Sequence, residues 1–172
     1  MTSYLKISAL LITVALAINV NGCRTSNKAN TIGDGISLTS KQLEKDLSAI
    51  QKLKNTDYQS LSAMFKVCDS MLINTSKNNI DDYFTTLSYA NGYLSQFGDL
   101  YPVIVKKIEY SQQQLTNLNA DINSHYINDS LAAIYFDDEA RIADTIHEQI
   151  KYFDERFKKM DKELKRIEKE LK

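Results

Sequence analysis

The chain has 172 residues, with 21 Lys and Arg against 22 Asp and Glu, for a formal net charge of −1. That near-balance excludes the strongly basic footprint by which nucleic acid is held. One proline, five glycines and 43% hydrophobic residues point to an all-α protein, with length enough for one real core.

The chain begins MTSYLK, with one basic and no acidic residue, and continues as ISALLITVALAINV from Ile7 to Val20. A bilayer-spanning helix needs roughly 20 consecutive apolar residues. This run is shorter and fits the core of a secretory signal peptide. Two cleavage points follow from it. Ala15 and Ala17 form an A-x-A site, and Val20-Asn21-Gly22-Cys23 sets a small residue directly before a cysteine.

The second arrangement resembles the lipobox of bacterial lipoproteins, although Asn21 stands where a small or β-branched residue is usual. The resemblance covers about the first 23 residues. It implies a signal peptide over 1–22, cleavage between Gly22 and Cys23, and lipidation of Cys23. The cysteine would carry diacylglycerol and, in many bacteria, a third N-linked chain, with acyl groups such as palmitate. Two or more chains make membrane anchoring stable where one is marginal. Residues 23–38 then read as the lipidated cysteine and a flexible tether. The polar stretch RTSNKANTIGDGISL holds two of the five glycines. As a coil of about 15 residues it reaches roughly 20 Å.

The style of the chain is similar to the small helical lipoproteins of unknown function common in the Bacteroidota. In that group acidic residues after the cysteine mark surface export. Arg24-Thr25-Ser26-Asn27-Lys28 has none, and no Asp follows Cys23. The resemblance therefore implies an outer-membrane protein facing the periplasm. Cleavage after Ala17 would instead leave a secreted soluble protein.

Three shorter helices are predicted over 39–98. Thr39 with Gln42 forms a capping box ahead of Leu43, Leu47, Ile50 and Leu53, and Thr56 with Gln59 repeats it. The second helix carries Leu61, Met64, Phe65, Cys68, Met71 and Leu72 on one face, which makes Cys68 a small buried hydrophobe. The third begins near Asn79 and Asp81, and Tyr83, Leu87, Ala90, Leu94 and Phe97 recur at helical spacing. Gly98-Asp99 is expected to end it, and Pro102 to open the next.

Residues 99–172 read as a long hairpin. Helix four shows Ile104, Ile108, Ser111, Leu115, Leu118, Ile122 and His125, and Asn128-Asp129 reads as the turn. Helix five shows Ile142, Ile146, Ile150, Phe153, Phe157, Met160, Leu164, Ile167 and Leu171, a coiled-coil pattern. Helix four is about 26 residues, roughly 39 Å, and helix five about 42, roughly 63 Å. Phe157, Met160, Leu164, Ile167 and Leu171 thus overhang helix four. They need cover from helices one to three, from a second copy, or from a protein partner.

Charge is unevenly placed. Residues 99–150 hold three basic against nine acidic side chains, and 151–172 hold nine against six. In the second stretch the signs alternate, which suits a coiled coil laced with ion pairs and argues against nucleic acid.

Chemistry is harder to find. Gly33 and Gly35 in TIGDGIS lack the setting and lysine of a phosphate loop, and no G-x-S-x-G elbow occurs. Asp121 with His125 and Asp144 with His147 have the spacing used by metal-binding bundles. A hairpin about residue 128 holds the two histidines roughly 24 Å apart, so no metal or cofactor is expected. His125 reads as a partly buried residue near the turn, and His147 as solvent-facing. Asp137-Asp138-Glu139 lacks the glycine of a calcium loop and suits the N-terminal side of a helix. The chain has ten tyrosines, and Tyr83, Tyr93, Tyr101, Tyr110, Tyr126, Tyr135 and Tyr152 are among those on helices three to five. They could line a surface for a peptide or glycan, though edge packing is their commoner role.

The expected function is that of a membrane-anchored, non-catalytic binding or scaffolding module of the cell envelope. The alternative is a ligand-binding or enzymatic domain with a site between helices four and five, lined by Tyr110, Asp144 and His147.

Overall fold

The structure is a computed structural model that describes residues 32–76 and 80–172. The signal segment, Val20 to Cys23, most of the tether and Asn79 lie outside the described residues. Among the described residues every element is helical. They are α1 (Ile32–Lys52), a π-helical turn (Leu53–Asp57), α2 (Tyr58–Ile73), α3 (Asp81–Asn123) and α4 (Asp129–Leu171). The backbone stays helical on both sides of the π turn. α1 and α2 are therefore one rod, and the molecule has three long helices where five were expected.

The three rods are nearly equal. α3 and α4 have 43 residues each, about 65 Å at 1.5 Å per residue. α3 and α4 run antiparallel, with Tyr83 meeting Glu170 near one end and Ser111 meeting Glu139 toward the other. α1 and α2 run parallel to α4, since Gly35 faces Phe136, Asp46 faces His147 and Cys68 faces Leu164. Each helix buries an apolar stripe at the common centre. Leu43, Ile50, Phe97, Ile108, Phe153 and Leu164 are all within 2% of complete burial. Phe97 is the middle of this core, its ring 5.4 Å from Tyr58, 5.1 Å from Phe153 and 4.9 Å from Phe157.

Helix α1 starts earlier than the capping box predicts. Ile36 is buried, and Gly35 admits the Phe136 ring so closely that a Cβ there would stand 2.6 Å from Cζ. Residues 32–38 thus belong to the bundle, and Thr39 and Gln42 lie inside the helix.

The second expected start, at Thr56, falls in the π turn. Buried positions advance from Ile50 to Leu53 and then to Leu61 and Cys68. The step from Leu53 to Leu61 is one residue longer than a heptad. A π turn absorbs one extra residue without ending the helix, which keeps both halves of the stripe facing the core.

Gly98-Asp99 does not break the third rod, and Pro102 lies inside it. Proline removes one backbone donor and crowds the carbonyl four residues earlier, which here belongs to Gly98. The stripe nevertheless runs unbroken through Phe97, Ile104, Ile108, Ser111, Leu115 and Leu118, all buried. Packing of that stripe outweighs the local cost.

The α3–α4 turn spans Ser124 to Asn128. Tyr126 N–H donates to the Asp121 carbonyl at 3.0 Å and His125 N–H to the Ile122 carbonyl at 3.1 Å. This is the paired closure of a helix end that puts the intervening residue in the left-handed region. His125 holds that position with φ 56°, and it is exposed rather than partly buried. Asn128 caps α4, its side chain accepting from Leu131 N–H at 2.9 Å. Ile142, expected in the seam, is 41% exposed, and its neighbour Ala143 is buried instead.

Candidate functional site

Because α3 is as long as α4, the C-terminal seam has cover inside the chain. Phe157, Met160, Leu164 and Ile167 are buried, and Leu171 is half-buried. Tyr58 packs on Phe157, and the Cys68 thiol donates weakly to the Leu164 carbonyl at 3.4 Å. Burial pushes the Cys68 thiol pKa up, with Glu168 adding to the shift. A thiol held protonated is a poor nucleophile. At the open end, Arg166 pairs with Asp82, Glu163 and Glu170 at 3.1, 3.1 and 3.2 Å, tying α3 to α4.

The polar cluster that sequence spacing did not foresee joins α1 to α4. Asp46 is 3% exposed, and its Oδ1 lies 2.9 Å from His147 Nδ1. Gln42 Nε2 donates to the same oxygen at 3.1 Å. Asp46 Oδ2 is buried without a partner among the described residues. With its proton on Nδ1 the His147 ring donates inward, while about half the side chain remains open to solvent. A carboxylate behind an imidazole is an arrangement that orients a base, but among the described residues no hydroxyl or thiol is hydrogen-bonded to this ring. Its evident effect is to bind two helices together.

The other sequence candidates separate. Tyr110 and Asp144 line neighbouring depressions on the α3–α4 flank, while His147 turns away from them toward α1. Asp121 and His125 are exposed at the turn. Among the described residues no group of three His, Cys, Asp or Glu side chains is placed to hold a metal ion. Asp137 and Asp138 pair with Arg141. Glu139 accepts from the buried Ser111 hydroxyl at 2.7 Å, so this acidic run is one partly buried bond and a solvated face.

The tyrosines do converge, in part. A groove lined by α3 and α4 alone runs along the molecule as three successive depressions. The first, 360 Å³, holds Tyr89, Tyr93, Arg156 and Lys159 over a floor of Met160 and Leu164. The second, 570 Å³, lies between Leu100 and Tyr152. The third, 510 Å³, is lined by Val103, Lys106, Lys107, Tyr110 and Ile142. Thr145 lines both the second and the third. Arg156 links the first and second, its guanidinium 5.2 Å from the Tyr93 ring centre and 5.1 Å from that of Tyr152. Tyr126 and Tyr135, by contrast, stand exposed at the far end of the hairpin.

Sequence reasoning found three of the four groove tyrosines, Tyr93, Tyr110 and Tyr152, and Ile142, but assigned them to packing or to the seam, and it passed over Tyr89. A signal was present: Ile142, Thr145, Gln149, Tyr152, Arg156 and Lys159 recur at three and four along α4, a second stripe beside the buried one.

Among the described residues no helix is long and apolar enough to cross a membrane. Comparison with protein-family models, with curated proteins and with solved structures gives no match to this chain.

Proposed function

We infer that the chain is a lipid-anchored envelope protein whose helical body serves as a binding or scaffolding module. The observation that carries the anchor is Val20-Asn21-Gly22-Cys23 directly after a short apolar run. Cys23 is the lipidated residue, Gly22–Cys23 the cleavage point, and the outer membrane on its periplasmic side the address. Support for the binding role comes from the body itself. Its buried side chains are apolar apart from Asp46 and Ser111, while a groove with several exposed aromatic side chains stays open along one flank. Large apolar patches left exposed commonly mark interaction sites. The partner approaches the C-terminal hairpin on this outer flank, since Phe157, Met160, Leu164 and Ile167 are engaged inside.

Intact mass of the protein purified from a lipoprotein-competent bacterial host tests the anchor, with wild type compared to Cys23→Ala. A mature chain beginning at Cys23 with added acyl mass, absent in the variant, is expected. Cleavage after Ala17 without acyl mass would overturn the anchor and make the protein a secreted soluble one.

A further inference from the structure

The groove on α3 and α4 has a chemical character as well as a shape. Five of the large apolar side chains left exposed on the described residues, Tyr89, Val103, Tyr110, Ile142 and Tyr152, lie along it. It spans Ile142 to Glu163 on α4, about 32 Å at 1.5 Å per residue. That is the footprint of a helix of about three heptads laid into a groove by its apolar face.

The charges around it are unbalanced. Lys106, Lys107, Arg156 and Lys159 line the groove, and none has a carboxylate within ion-pair distance among the described residues. Its acids are mostly engaged, Glu148 with Lys151 and Glu163 with Arg166, which leaves Asp144 near the centre. Arg156 is moreover held between two tyrosine rings. Stacking fixes the guanidinium while leaving its N–H fork free for a carboxylate.

We propose that this groove binds an acidic amphipathic helix of a partner protein, apolar stripe inward and carboxylates on the four cations. Two other occupants fit worse. A second copy related by a two-fold axis would bring the Lys106–Lys107 end of one groove against the Arg156–Lys159 end of the other, and facing like charges is unfavourable. The chain's own first 31 residues carry only Lys6, Arg24 and Lys28 as charged side chains, the wrong sign for this surface. The proposal rests on the reading of the body as a binding module and is independent of the anchor.

The test uses the full chain as recovered from the host and two fluorescent 21-residue peptides. Both carry the same leucine stripe, one with Glu and the other with Lys at the remaining positions. Fluorescence anisotropy is expected to show the Glu peptide binding at least about tenfold tighter, and more weakly as salt rises. The double substitution Arg156→Glu with Lys159→Glu is expected to lower affinity for the Glu peptide about tenfold and leave circular dichroism and melting temperature unchanged. Equal binding of the two peptides, or no binding of the Glu peptide, would overturn the proposal, as would a folded double variant that binds as wild type does. If the double variant does not fold, the two-peptide comparison on wild type decides alone. Acyl mass on Cys23 with a failed peptide titration would remove the groove and leave the anchored protein standing.

Discussion

Two places in the bundle invite a break, and they behave in opposite ways. Leu53–Asp57 contains neither glycine nor proline, yet the backbone leaves α geometry there. Residues 98–102 contain both, yet the helix continues. The two lie side by side. Tyr58, the first residue after the π turn, packs on Phe97, and a Cβ at Gly98 would stand 3.5 Å from the Tyr58 hydroxyl. Lys54 covers the Tyr58 ring at 4.0 Å and reaches toward Tyr101. What separates them is the phase of the buried stripe. Between Leu53 and Leu61 the stripe slips by one residue, and the backbone must take up the slack. Between Phe97 and Ile104 it keeps step, so local helix breakers are overruled.

The sharpest way to break this comparison is to remove one exposed residue from each place. Deleting Asn55 restores heptad spacing and lets the π turn relax to α, with stability expected within about 1 kcal/mol of wild type. Deleting Asp99 instead rotates the stripe beyond it by about 100° and takes Ile104, Ile108 and Leu115 out of the core. The loss is on the order of several core truncations at about 2–5 kcal/mol each. Urea unfolding should therefore give a normal transition for the first variant and none for the second. Two collapsed proteins would refute the role assigned to phase.

Next in size is Phe97→Ala, which removes the ring both places lean on. Its cost is expected at about 3–5 kcal/mol, read from the denaturation midpoint. A loss below about 1 kcal/mol would mean that the centre repacks freely.

The smallest effects have the opposite sign. Pro102→Ala restores one backbone hydrogen bond to Gly98 and removes the ring from an exposed site, which is expected to stabilise by about 1–3 kcal/mol. Gly98→Ala adds a methyl at ordinary contact distance and is expected to stabilise by roughly 0.5–1 kcal/mol. Melting temperatures of the two variants check both. A fall for Pro102→Ala would show that the proline is accommodated by the native packing rather than tolerated against it.

Much of this architecture was legible. The apolar spacings named nearly every buried residue of α3 and α4, the hairpin turn and the burial of Cys68. The count of helices was not, because glycine, proline and capping boxes were weighed above the phase of the stripe they interrupt. The left-handed residue was missed because His125 occupies a position where glycine is the usual signal. Asp46 with His147 was invisible for a different reason. The two are 101 residues apart, and nothing in one strand of text says which polar residues of parallel helices will meet. The open groove was half visible, since its stripe on α4 is periodic, but only the placing of α1 and α2 shows which of two adjacent stripes goes uncovered.

The parallel course of α1 and α4 gives the molecule a polarity. Ile32 and the α3–α4 turn share one end, and Leu171 stands at the other. Residue number along α4 is therefore a height. Ile142 lies about 20 Å and Glu163 about 51 Å from the Asp129 end, at 1.5 Å per residue. With the rod upright on the proposed anchor, the groove begins well above the lipid headgroups. An occupant helix would then arrive from the aqueous compartment, and a neighbour confined to the same bilayer would pass beneath it.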